Sequence, residues 1–314
     1  MTETWHSADG HLVHAVEWPG PGRTTAVAPP AVVLVHGLGG STVNWELVGA
    51  GLARRLAARV VAFDLAGFGR TALGSRRATV GANGRLLAEL IAPLGPSVVV
   101  GNSMGGALAI GLAARRPDLV RALVLVDPAL PRPLRPPGLR ESIDGLTSLG
   151  GLAAAAIPFA GPHLVRYRMR QLGPAGTVDA SLRIVCAHPS RVDATVRRHM
   201  VELTDYRSKG NDSARAYHDA ILSLVQYTTR RMPADVGTVG APTLLIHGDR
   251  DRLVPLSLAK ATARRRTDWT LEVFDDCGHV PMIEQPDRFV AVCANWIDGQ
   301  SESSRFSGAV GGSR

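Results

Sequence analysis

The chain has 314 residues, 45% of them hydrophobic and 20% charged, an ordinary globular composition that can bury a sizeable core. Its formal net charge of +8 is carried almost wholly by arginine, spread through every segment among only 5% aromatic residues, which excludes the clustered basic and aromatic pattern of a nucleic-acid binder. No apolar run approaches the roughly 18 residues of a membrane span, and Met1 to Trp18 lacks a secretory signal's apolar stretch, so a cytoplasmic protein without a membrane span is expected.

In chain order, residues 11–18 alternate apolar and polar side chains after Asp9-Gly10, the pattern of an antiparallel strand following a hairpin turn. A Pro/Gly linker covers 19–30. The period then changes: 31–36, Ala-Val-Val-Leu-Val-His, is a continuous apolar run, as a central parallel strand covered on both faces requires. The unit repeats as a helix over 43–58, a strand over 59–64, a helix over 79–92, a strand over 97–101, a helix over 104–115 and a strand over 120–127. This alternation predicts an α/β fold with a doubly wound, mostly parallel sheet.

The alternation stops at Pro128. Residues 128–235 begin with Pro131, Pro133, Pro136 and Pro137 and continue as Ala-, Leu- and Arg-rich helical stretches without a convincing strand. It resumes with a strand ending at Gly248, a helix over 256–266, a strand over 270–274 and a helix over 286–297. The economical account is a core of residues 1–127 and 236–298 with a helical cap, 128–235, inserted between two core strands. The Ser- and Gly-rich tail, 299–314, has the composition of a disordered segment. Cys186, Cys277 and Cys293 match no metal-ligand spacing and fit reduced thiols, so no metal is expected.

Gly101-Asn102-Ser103-Met104-Gly105 matches G-x-S-x-G between an apolar strand and a helix, where a nucleophile elbow must lie. A serine hydroxyl is a weak nucleophile at neutral pH and needs a base, itself held by an acid. His279, in the turn-like Cys277-Gly278-His279-Val280-Pro281 after the last strand, is the best placed of ten histidines; His36 ends a strand in a structural loop. Three aspartates end core strands. Asp251, in Gly248-Asp249-Arg250-Asp251, is the first choice as acid, with Asp127 and Asp249 as alternatives and Asp249 also suited to capping the turn. A tetrahedral intermediate also needs fixed donors: the amide of Met104, at a helix N-terminus, and an amide from His36-Gly37-Leu38-Gly39-Gly40, for which Leu38 is chosen.

Together with 64–71, Asp-Leu-Ala-Gly-Phe-Gly-Arg-Thr, and 278–286, Gly-His-Val-Pro-Met-Ile-Glu-Gln-Pro, these segments resemble the α/β-hydrolase superfamily over 31–127 and 241–297. The resemblance implies catalysis without a cofactor, a helical cap over the site and a small-molecule substrate. Gly-Asn-Ser-Met-Gly-Gly is also similar to carbon–carbon bond hydrolases of ring-cleavage products, but those carry a Gly-Pro-Gly oxyanion loop and a tryptophan after the histidine. Here Gly39-Gly40 and Val280-Pro281 stand instead, which favours carboxylesterase or lipase-like relatives. The expected activity is hydrolysis of a carboxylic ester of a small to medium apolar substrate through an acyl-enzyme. Alternatives are a carbon–carbon hydrolase or acyltransferase using the same triad, and a non-enzymatic ligand receptor on the same fold.

Overall fold

The structure, a computed structural model, describes residues 1–21, 29–131, 161–210 and 212–309. Most of the expected Pro/Gly linker and the proline-rich start of the insertion lie outside the described residues. Eight strands form one sheet: β1 (Thr2–Ala8), β2 (His11–Trp18), β3 (Val32–Val35), β4 (Val60–Phe63), β5 (Ser97–Asn102), β6 (Val120–Val126), β7 (Thr243–Gly248) and β8 (Thr270–Phe274), in the order β1-β2-β4-β3-β5-β6-β7-β8. β2 runs antiparallel to both neighbours, and β4 through β8 are parallel. The doubly wound expectation holds, with one strand, β1, that the sequence pattern did not reveal. Its residues are mostly exposed, and Thr-Glu-Thr-Trp-His-Ser-Ala carries no apolar–polar alternation although its burial alternates.

Each central strand divides its side chains between two layers. Val33 and Val35 of β3 and Val61 and Phe63 of β4 join one core, packed under α2 (Val80–Ile91) and α3 (Met104–Arg115). Val32, Leu34, Val60 and Ala62 join the other, under α1 (Glu46–Leu56). Strands buried on both faces explain why the runs are continuously apolar, and each fully buried valine or leucine contributes about 1.5–3 kcal/mol of transfer free energy. α2 begins where expected because the Thr79 side chain accepts from the amide of Ala82.

Between β6 and β7 the described residues form only helices: α4 (Gly161–Val185), α5 (Ala194–Ser208), α6 (Asp212–Arg230) and α7 (Met232–Thr238). α4 is broken at Gly173, which takes φ 63° just before Pro174; proline cannot continue the ladder of the preceding turn, and glycine absorbs the bend. After β7 come α8 (Leu256–Arg265), the short α9 (Pro281–Glu284) and α10 (Pro286–Ala309). α10 runs past Gly299, where composition predicts loss of order. A single glycine costs a helix only about 1 kcal/mol, and no proline follows to stop it. Cys186, Cys277 and Cys293 are buried free thiols, as expected, and none of the helices among the described residues is long and apolar enough to cross a membrane.

Candidate active site

Ser103 stands between β5 and α3 with φ 53° and ψ −114°, a strained conformation for a residue with a side chain. The turn is tight enough that the motif's glycines are steric requirements. A Cβ on Gly101 would lie 2.4 Å from the Gly105 carbonyl oxygen, and one on Gly105 would lie 2.2 Å from that of Val35. Serine at a helix N-cap ordinarily accepts a bond from the first turn. Here the hydroxyl makes no such bond, so the half-buried Ser103 keeps its oxygen free of the helix it precedes.

His279 and Asp251 are brought together. The His279 ring donates from Nδ1 to Asp251 Oδ2 at 2.7 Å, and both side chains are buried. The other carboxylate oxygen accepts from the amides of Leu253 at 2.7 Å and Val254 at 3.1 Å. Burial opposes the charge on Asp251, but His279 and these donors outweigh it and hold the carboxyl below its ordinary pKa. Asp251 therefore stays ionised and fixes the imidazole with Nε2 available. Neither Asp249 nor Asp127 bonds His279: Asp249 Oδ1 accepts from the Cys277 amide at 3.2 Å, capping the turn, and Asp127, behind Asp251, accepts at Oδ1 from the Gly248 amide at 2.9 Å. Among the described residues no hydrogen bond joins the Ser103 hydroxyl to the imidazole, a contact that often tightens only with substrate bound.

Residues that sequence reasoning passed over hold the two halves in place. Asn102 Nδ2 donates both to the Val126 carbonyl at 3.1 Å and to the His279 carbonyl at 3.0 Å, tying the Ser103 turn to the His279 loop. The His279 amide donates to the Val185 carbonyl at the end of α4 at 2.7 Å, and Glu284 of α9 accepts from the Gly278 amide, also at 2.7 Å. Nothing in the motif marks Asn102, because its partners lie 24 and 177 positions away in the chain. Asn102→Ala is expected to cost about 1–3 kcal/mol of stability, since two buried carbonyls lose their donor. It should also lower kcat on the order of ten- to a hundredfold with little change in KM, through misplacement of the base. Thermal melts and steady-state kinetics on one preparation check both.

The loop carrying Leu38 lies against Ser103: a Cβ on Gly37 would stand 3.0 Å from Ser103 Cβ. The loop is shaped by His36, whose Nδ1 donates to the Gly37 carbonyl at 2.7 Å while Nε2 accepts from the Leu65 amide at 3.1 Å. Burial lowers the His36 pKa and keeps the ring neutral, as that bonding pattern demands. His36 is thus a bracket between the ends of β3 and β4, in keeping with its reading as structural. The amides of Leu38 and Met104 make no hydrogen bond to a protein acceptor among the described residues.

The model of the alpha/beta hydrolase family matches residues 32–292. The chain belongs to the alpha/beta hydrolase family. It is therefore a hydrolytic enzyme. This hydrolase is 32% identical over 278 residues to the pimeloyl-[acyl-carrier protein] methyl ester esterase of Aromatoleum aromaticum, covering 86% of this chain and 99% of the relative. It is 28% identical over 285 residues to the 2-hydroxy-6-oxo-6-(2'-aminophenyl)hexa-2,4-dienoic acid hydrolase of Metapseudomonas resinovorans, covering 87% of this chain and 86% of that one. Among solved structures, a bacterial membrane phospholipase A superposes with a TM-score of 0.72 at 26% identity, over 96% of this chain and 86% of the other.

Proposed function

We propose that this hydrolase cleaves carboxylic esters through an acyl-enzyme. Ser103 attacks the acyl carbon while His279 Nε2 takes its proton, and Asp251 holds the imidazole in the correct tautomer and stabilises the imidazolium. The amides of Leu38 and Met104 receive the developing oxyanion. His279 then protonates the leaving alcohol, and water, activated by the same histidine, releases the acid. The observation that carries this reading is the 2.7 Å His279–Asp251 bond, with the Asn102 bridge to the elbow that presents Ser103. Residues 128–235 are read as the cap and 1–127 with 236–298 as the catalytic core. Turnover of p-nitrophenyl esters of graded chain length, with fluorophosphonate labelling, tests the reading.

A second reading, a carbon–carbon hydrolase acting on a carboxylate-bearing substrate, is favoured by one arginine. Among the arginines of the insertion, Arg191, Arg197 and Arg215 pair with Asp276, Asp179 and Asp212. Arg207 has no carboxylate within ion-pair distance among the described residues. Its Nη2 donates to the Gly67 carbonyl at 3.1 Å and its guanidinium lies over the Phe68 ring at 5.4 Å. Burial lowers its pKa, which Asp64 only tempers, since the Asp64 oxygens are already taken by His14 and the amides of Thr42 and Arg70. The charge of Arg207 is also felt by Tyr217, whose ring is 3.3 Å from a Cβ built on Gly39 of the oxyanion loop. A desolvated cation so placed suits an anion.

The apolar reading of the pocket still leads, with Leu38, Phe68 and Tyr217 beside the loop. Arg207→Ala is accordingly expected to change kcat/KM for neutral esters by less than about threefold, with a nearly flat dependence on salt. A wild-type preference for a carboxylate-bearing substrate, lost more than tenfold in Arg207→Ala, would establish the second reading instead.

A further inference from the structure

Behind the His279–Asp251 pair lies a second buried polar group that the proposed chemistry does not use. Asp127, at the end of β6, takes φ 43°, and its side chain, like those of His247 at the end of β7 and Asp251, is completely shielded from solvent. Each of the three places a polar atom within 4.8 Å of the others. His247 Nε2 donates to the Val254 carbonyl at 2.8 Å and lies 3.6 Å from Asp251 Oδ2. Its Nδ1 lies 3.7 Å from Asp127 Oδ1 and is a buried atom with no hydrogen-bond partner. Asp127 Oδ2 is the other such atom here.

Hydrogen-bond accounting decides what these orphans are. With its one proton committed to Val254, neutral His247 presents a bare lone pair at Nδ1. An ionised Asp127 would add only acceptors, so a lone pair and two carboxylates would face one another with no proton among them, and no lysine or arginine among the described residues pairs with Asp127. The other titratable groups about it, Glu284 of α9 and Cys277 ahead of His279, supply no positive charge either. We propose that Asp127 is a positioning residue: a carboxylic acid that keeps its proton, supplies the one donor this group lacks, and leaves Asp251 as the single negative charge behind His279. Burial and the neighbouring charge of Asp251 push its pKa well above the usual carboxylate range, in the same sense. A second carboxylate there would hold the imidazolium too tightly for it to release its proton; the neutral acid avoids this while packing Asp251 in place.

The role assigned to Asp127 rests on Asp251 being the orienting acid, but its protonation does not, so two of the measurements below are independent of catalysis. In infrared spectra at pH 8 the wild type should show the carbonyl stretch of a protonated carboxylic acid, absent from Asp127→Asn; no such band in the wild type overturns the proposal. In thermal melts, the group's pKa is raised on folding, so its favourable contribution is complete below the unfolded value and is lost as pH rises toward the folded one. The Tm advantage of Asp127→Asn over the wild type should therefore widen from pH 5 to pH 8, whereas an Asp127 ionised in the folded state gives a constant gap. Catalytically, Asp127→Asn keeps the donor and should leave the acid limb of kcat/KM unmoved, while Asp127→Leu should lower kcat at least tenfold with KM within about twofold. A downward shift of the acid limb in Asp127→Asn, or a stoichiometric divalent cation found in the purified enzyme by elemental analysis, would overturn the assignment. If Asp127→Asn does not fold, the wild-type band alone decides.

Discussion

Ser103→Ala is expected to abolish ester turnover and fluorophosphonate labelling while leaving the fold and Tm unchanged to within a degree or two. Removing the nucleophile of a serine triad lowers kcat by roughly 10^5 to 10^6, leaving only what binding and the oxyanion donors supply. The structural reason to expect no folding defect is specific. The hydroxyl makes no cap bond to α3, so its loss orphans no partner, and the strained φ of 53° is equally awkward for alanine and serine. The experiment therefore separates chemistry from stability more cleanly than most active-site substitutions. Labelling that persists in Ser103→Ala would remove Ser103 from the reaction.

Asp251→Asn should lower kcat by about 10^4, because an amide in that place can donate to Nδ1 and so favours the wrong imidazole tautomer. Asp127→Asn should do far less. The carboxylate of Asp251 is held below its ordinary pKa, so its contribution to stability is present above the unfolded value near 4 and is lost only as pH falls through the folded one. Asp251 should then stay ionised over the acid range down to that folded value. Steady-state rates for the two variants across the acid range check this. A loss smaller in Asp251→Asn than in Asp127→Asn would move the orienting acid to β6.

How much of this was legible in the sequence depends on the distance over which each feature is decided. The elbow was readable because Gly101, Ser103 and Gly105 satisfy a steric problem within five residues, and β3 because burial on both faces leaves a continuous apolar run. The choice among Asp127, Asp249 and Asp251 could only be ranked, with Asp251 first, since Asp127 follows β6 and both Asp249 and Asp251 follow β7. What separates them is the register of β6 against β7 and the path of the loop that brings His279 to one carboxylate. Asn102 and Arg207 were out of reach for the same reason: their partners are in other segments of the chain. β1 was missed because an edge strand with little to bury has little pattern to show.

The sheet order also sets when, during synthesis, this enzyme can begin to work. The elbow's strand β5 pairs with β3 and β6, all within the first 126 residues, so a nascent chain can raise its nucleophile early. Asp251 and His279 follow β7 and β8, the last two strands to emerge, and more than half the chain separates Ser103 from its base. On the proposed mechanism, until that edge docks the serine has no proton acceptor, and a polypeptide stalled or cleaved before β8 should be inert toward esters. Ester hydrolysis by that mechanism would then wait for β7 to dock on β6, the strand pairing with the largest separation in sequence, and a partly made chain should show none on the ribosome.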